Sequence, residues 1–187
     1  MKNPESLVHW MKILISLYQV LLYMDLFILR HGKAGKSSGG PDDASRELTR
    51  KGRDEIEGIA QWMKAQEFRF DLIASSPLKR ALETATVIAS VLDQEDIVAT
   101  WDALAPGGET GTVCSAVFQQ GDDGAVLIVG HEPQLSVLIS TIISGDANSS
   151  IIISKGGLAK IRNYSFRDRP SGELQWLLTS QQILSMR

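Results

Sequence analysis

The sequence predicts an α/β fold of three layers, with helices on both faces of a mostly parallel central sheet and room for an antiparallel edge strand. Three observations predict it. Apolar runs ending near residues 30, 75 and 130 are short and continuous, the pattern of strands covered on both faces. Each is followed by apolar residues at helical spacing, and strands alternating with helices imply parallel pairing through crossovers. The late segments 150–165 and 173–179 read as strands, the later ones alternating as an edge hairpin does. With 187 residues, 43% of them hydrophobic and 22% charged, one domain with a sizeable core is the default.

Residues 24–30, "MDLFILR", form the first strand. Residues 33–47, "KAGKSSGGPDDASRE", are rich in Gly, Ser, Asp and Pro and read as a loop, the rim of whatever site exists. Thr49 is placed to cap the next helix, whose inward face is Ile56, Ile59 and Met63. "FDLIASSP", 70–77, is a second short strand ending in small residues. Pro77 is expected to open the following helix, where its missing N–H costs nothing. That helix carries Leu78, Leu82, Ala85, Ile88, Ala89 and Leu92 at core spacing. Residues 97–110 hold a short strand and the loop "ALAPGGET", and a helix is expected over 111–119. "AVLIVGH", 125–131, is the third apolar strand, and Pro133 opens "PQLSVLISTIIS".

The first 23 residues stand apart. They contain "HWMKILISLYQVLLYM", which resembles a signal peptide or anchor only superficially. No small-x-small cleavage site follows, and Lys12, Gln19 and Asp25 keep the apolar stretch short of the ~20 residues a membrane span needs. Trp10, Ile13, Leu14, Leu17 and Leu21 share one helical face. Two readings stay open: an amphipathic helix added to the domain, or a dispensable extension ahead of a start at Met24. The expected organisation is an extension over 1–23 and one domain over 24–187. A formal net charge of −3 without long runs of one sign argues against nucleic acid as a partner, and no membrane partner is expected. The lone cysteine, Cys114, excludes an internal disulfide and multi-cysteine metal sites, and with no basic neighbour it reads as a small core residue. A cytoplasmic setting fits.

The three apolar strands end in chemistry-bearing residues. The first runs into Arg30-His31-Gly32, the second into Ser75-Ser76 with Arg80 in the next helix, the third into His131. Ligands of open α/β sheets bind at the carboxyl ends of strands, so these three regions are expected to converge. Two arginines and two histidines ask for a compact, highly anionic ligand, and a phosphoryl group fits the planar fork of arginine. Gly32 lets backbone approach that ligand closely. Taken singly each signal is weak: a lone arginine on a helix is ordinarily solvated, and many histidines are merely hydrogen-bonded. Their common position just past strand ends, in a chain with only three histidines, is what counts. The third, His9, lies in the extension and receives no role.

The segments "LFILRHGKA", "SSPLKRALETA" and "VLIVGHEPQLS" resemble, in order and spacing, the signature segments of the histidine phosphatase superfamily. The short length, the "ELTRKG" segment and the lack of a large insertion are similar to its small SixA-type branch of phosphohistidine phosphatases. The resemblance spans about residues 24 to 179. It implies a phosphoglycerate-mutase-like fold over 24–187, a nucleophilic His31, phosphate binding by Arg30 and Arg80, and completion of the pocket by His131. It implies hydrolysis through a phospho-His31 intermediate, with no cofactor and no metal.

The chemistry agrees with those roles. His31 attacks only when neutral, and Arg30, Arg80 and a cationic His131 would oppose its protonation. A backbone carbonyl is expected to fix its tautomer. A phosphate ester, with its strongly basic alkoxide leaving group, wants a general acid, whereas the imidazole released from phosphohistidine does not. Ester-cleaving branches of the superfamily place a carboxylate in the loop that is here "WDALAPGGET". It offers Asp102 and Glu109, of which Glu109 follows a Gly-Gly turn and is the better candidate; the favoured reading of both is as solvated loop acids. An open pocket suits a phosphorylated protein substrate, for which the resemblance suggests a histidine-containing phosphotransfer domain. Lys33 and Lys36 would then steer an acidic partner or simply be solvated. A phosphomonoesterase acting on small esters and a non-catalytic phosphate-binding module remain the alternatives.

Overall fold

The computed structural model describes residues 24–35, 43–121 and 123–187. The expected N-terminal helix and residues 36–42 of the first loop, Lys36 among them, lie outside the described residues. One six-stranded sheet organises the rest. Its strands are β1 (Met24–Arg30), β2 (Leu72–Ser75), β3 (Val98–Thr100), β4 (Gly124–Gly130), β5 (Leu158–Phe166) and β6 (Pro170–Leu178), in the order β3-β2-β4-β1-β5-β6. The pairs β2–β3, β2–β4 and β1–β4 are parallel; β5 runs antiparallel to both β1 and β6. The expected mostly parallel sheet is therefore present, with its antiparallel part at the β5–β6 edge.

The helices are α1 (Arg50–Ala65), α2 (Lys79–Leu92), α3 (Thr110–Phe118), α4 (Gln134–Ser144) and α5 (Ser180–Ser185). Side chains alternate across the pleat, so each central strand serves two cores. Phe27, Leu29, Ile73 and Leu127 pack on one face with Ile56, Ile59 and Met63 of α1, Ala85 and Ile88 of α2, and Ile183 of α5. Leu26, Ile28, Val126 and Ile128 pack on the other with Val113 and Val117 of α3 and Leu138 and Ile139 of α4. Two-sided burial is why these strands read as unbroken apolar runs. Cys114 is buried in the second core, and burial pushes its thiol up, as its apolar neighbours suggested.

Local signals are resolved one by one. Thr49 caps α1 as expected, its hydroxyl accepting from Gly52 N at 3.0 Å. Pro77 does not open α2: Leu78 is the cap residue and the helix starts at Lys79, because Ser76 accepts from Leu78 N and the chain turns there first. Pro133 likewise sits at the cap of α4 rather than inside it. Leu82, expected in the core, is exposed; Arg80 and Thr84 point inward instead, one turn apart. Residues 150–157 are not strand. They form a loop stitched to the end of β1 by Arg30 N donating to Gly157 O (3.0 Å) and Gly156 N donating to Arg30 O (3.0 Å). Among the described residues no helix is long and apolar enough to cross a membrane.

Candidate active site

The strands β2, β4 and β1 are neighbours, and their register aligns their ends: Arg30 lies opposite Gly130 and Ser75 opposite Val129. Backbone bonds carry the alignment one residue further, from His31 N to Gly130 O (3.1 Å) and from Ser76 N to Val129 O (2.9 Å). His31, Ser76 and His131 thus emerge together at the carboxyl edge. The imidazoles of His31 and His131 lie 4.9 Å apart between centroids. Arg80, from the first turn of α2, reaches in so that its Nε donates to His31 Nε2 at 3.3 Å. Exposure is only 6% for His31, 4% for Arg80 and 3% for His131.

The tautomer of His31 follows from its partners. Nδ1 lies 2.7 Å from Gly32 O, and a carbonyl can only accept, so Nδ1 carries the proton. Nε2 then holds a lone pair, consistent with its accepting from Arg80. The ring is buried, and Arg80, Arg30 and Lys155 add positive charge nearby. The bond to Gly32 O works the other way, but the pKa falls to about 4. His31 is a neutral ring at neutral pH with its outer nitrogen available.

His131 is also neutral, which differs from the cationic ring expected. Burial, then the adjacent His31 and Arg80, lower its pKa to about 3. Two adjacent imidazoles between guanidinium groups do not readily take a further proton. His131 Nε2 is 2.8 Å from Ser76 Oγ. Its Nδ1 is buried and without a hydrogen-bond partner among the described residues.

The guanidinium groups are held from behind. Arg30 Nη1 donates to Ile153 O at 2.9 Å, while its Nε is buried with no partner among the described residues. Arg80 Nη1 donates to Asp43 O at 2.7 Å, and Nη2 pairs with the Asp43 carboxylate at 3.0 Å. Burial raises Asp43, but Arg80 and Arg46 outweigh that and hold its carboxyl below the ordinary value. Gly32 N donates to Thr84 Oγ1 at 3.1 Å, and Thr84 donates to Arg80 O, coupling the end of β1 to α2. A Cβ on Gly32 would meet Ile56 Cγ1 at 2.8 Å, so packing against α1 as well as ligand approach requires glycine there.

The described structure thus brings together Arg30, His31, Gly32, Arg80 and His131. Glu109 and Asp102 are exposed and form no side-chain hydrogen bond to that cluster. Glu109 lines a depression with Gln119 and Phe166, whereas its neighbours Gly108 and Thr110 line the cavity that includes His131. Lys33 is paired with Glu55 at 2.7 Å. Sequence reasoning missed Asp43, Ser76, Thr84, Glu132, Gln134 and Lys155. Ser76 and Thr84 lie inside the quoted segments. Asp43 sits in a loop whose composition says nothing of where it folds. Gln134 donates to Ala103 O (2.6 Å) and Gly108 O (2.9 Å), holding the 103–108 loop against the start of α4. Among the described residues no group of three or more His, Cys, Asp or Glu side chains is arranged to hold a metal.

Known proteins carry the same architecture. Residues 26–105 match the family model described as histidine phosphatase superfamily, branch 1. An uncharacterised protein of Picosynechococcus sp. is 28% identical over 164 residues, which cover 86% of this chain and 99% of that protein. The phosphohistidine phosphatase SixA of Escherichia coli is 29% identical over 125 residues, 66% of this chain and 76% of the other. A solved structure of the protein histidine phosphatase SixA complexed with tungstate superposes with a TM-score of 0.73 at 25% identity, covering 84% of this chain and 98% of that one. A phosphoglycerate mutase of Bacillus anthracis, at 15% identity and a TM-score of 0.65, shares the fold. A parallel sheet presenting two histidines and two arginines at its carboxyl edge makes a pocket suited to a compact anion. The chain is similar over these stretches to the histidine phosphatase superfamily and to its SixA-type members, and these likenesses make it a phosphatase.

Proposed function

We propose that the chain removes phosphoryl groups from phosphohistidine in proteins through a phospho-His31 intermediate. The observation that carries the reading is the state of His31: neutral, with Nδ1–H given to Gly32 O and Nε2 left as the nucleophile beside Arg80. Arg30 and Arg80 bind the phosphoryl oxygens, and His131 closes the pocket on the opposite side with Gly32 backing the ring. Nε2 attacks phosphorus as the P–N bond to the substrate breaks. With its other nitrogen protonated, the substrate imidazole leaves as a neutral molecule. Water then cleaves phospho-His31, and the same donors stabilise both transition states.

The choice of phosphohistidine over an ester rests on the carboxylates. Asp43, which pairs with Arg80, is held ionised by two arginines and is a poor proton donor at neutral pH. Glu109 and Asp102 are exposed and outside the described hydrogen-bond network. The likeness to SixA proteins points the same way. A histidine-containing phosphotransfer domain is the kind of substrate this fits, in a cytoplasmic setting. The test is phosphate release from such a domain phosphorylated on histidine. The wild type should release it, and His31→Ala should not. Hydrolysis of small esters alone, with a large loss in Glu109→Gln, would replace this reading with that of a phosphomonoesterase.

A further inference from the structure

The loop between α4 and β5 forms one wall of the site, and its outward side has no part in the chemistry above. Its inner side is fully committed. Ile153 is completely buried, its N–H donates to the Glu132 carboxylate at 2.8 Å and its carbonyl accepts from Arg30 Nη1 at 2.9 Å. Gly156 N reaches both Arg30 O (3.0 Å) and His31 O (3.2 Å), and Arg30 N donates to Gly157 O. This loop is therefore pinned to the residues that follow β4 and to the end of β1. Inward placement of Ile153 forces Ile152 outward, where it is 82% exposed. Lys155, on the same loop, is exposed and makes no hydrogen bond or ion pair with any described residue. Its charge nevertheless reaches His31, which places it near the mouth.

Among the described residues, three other cations of this face are paired with carboxylates. Lys33 is held by Glu55, Lys79 by Glu47 at 2.5 Å, and Arg46 by Asp43 at 2.5 Å. A rigid wall that presents a bare isoleucine and an unneutralised lysine beside an anion pocket has the character of a recognition surface.

We propose that Ile152 and Lys155 form the docking rim for the phosphorylated protein, resting on the reading of the site as a protein phosphohistidine phosphatase. The partner it fits carries its phosphohistidine on a face with carboxylates and an exposed apolar side chain. Lys155 pairs with a carboxylate flanking the phosphohistidine, and Ile152 packs on the apolar neighbour. Charge complementarity favours this occupant: Arg80 is paired with Asp43, but Arg30 and Lys155 have no carboxylate partner among the described residues, and an anionic surface is drawn to them. Neither side chain is needed for the chemical step, so the rim acts on KM and association rather than on kcat.

The experiment compares two substrates, a phosphotransfer domain phosphorylated on histidine and free phosphohistidine. Ile152→Ser and Lys155→Gln should each raise KM for the phosphorylated domain about tenfold with kcat within about twofold. Free phosphohistidine should be cleaved by both within about twofold of wild type. Added salt should slow wild type on the domain, Lys155→Gln should flatten that dependence, and Lys155→Arg should restore it. Unchanged KM for the domain in both variants would overturn the rim while leaving the proposed function intact. A parallel loss on free phosphohistidine would also overturn it, assigning Lys155 to the phosphate pocket. Wild type that cleaves free phosphohistidine but no phosphorylated protein would overturn the substrate reading and the rim with it.

Discussion

Residue by residue, the site is built from neutral histidines kept neutral at a cost. His31 and His131 have folded pKa values of about 4 and about 3, below the 6.5 of an exposed ring. In the unfolded chain both take up protons near 6.5, while the folded protein resists. The unfolded state therefore binds more protons from about pH 6.5 down to about 4 for His31 and about 3 for His131, and stability falls as pH drops through that window. Above about pH 7 the contribution is fully present. By pH 5 each ring should have cost about 2 kcal/mol. Urea midpoints at pH 7.5 and 5 check this, and His31→Asn should remove a large part of the difference. A midpoint independent of pH over that range would contradict buried neutral rings. "RHG" and "GH" announced these residues, but not their charge. Burial and mutual proximity decide protonation, and neither is visible in a tripeptide.

The scale of elements shows why the residues arrive together. Strand ends were legible because apolar runs stop where the chain leaves the core. Arg80 was legible as the second residue of a helix that starts just after β2. The turn before that helix was not, since Pro77 is compatible with the first helical turn and with the residue before its cap. Gln134 was read as part of an apolar helix. It is a strap, and its two bonds to Ala103 O and Gly108 O hold the loop that carries Asp102 at one end and leads to Glu109 at the other. Gln134→Leu should leave two carbonyls without these donors and lower stability by roughly 1–3 kcal/mol. Faster amide hydrogen exchange confined to residues 103–109 is the expected signature. Exchange unchanged in that loop would mean the strap carries no load.

Across the whole molecule the sheet is the device that turns three distant segments into one pocket. Order β2-β4-β1 with matched register places residues 31, 76 and 131 at one edge. An anion bound there joins β1, α2 and the loop after β4, so it should stabilise the entire fold. Tungstate or inorganic phosphate at a hundred times its Kd should add about 2.7 kcal/mol to unfolding. A thermal-shift titration reads this, and Arg80→Ala should abolish the shift. A shift of equal size in that variant would place the anion elsewhere.

By itself, the sequence determined the layering of the fold, the strand ends and the identity of the residues placed there. Hydrophobic periodicity and the position of polar residues past apolar runs are local properties, written in consecutive residues. Only the tertiary structure decided the rest. It set which carbonyl holds the His31 proton, that His131 is neutral, that Asp43 clamps Arg80 and that Ile152 is forced into solvent. The neutral His131 and the Asp43 clamp need groups far apart in the chain to meet in a low-dielectric interior, and the Gly32 carbonyl and Ile152 take their places only once the end of β1 and the loop before β5 are pinned by distant partners.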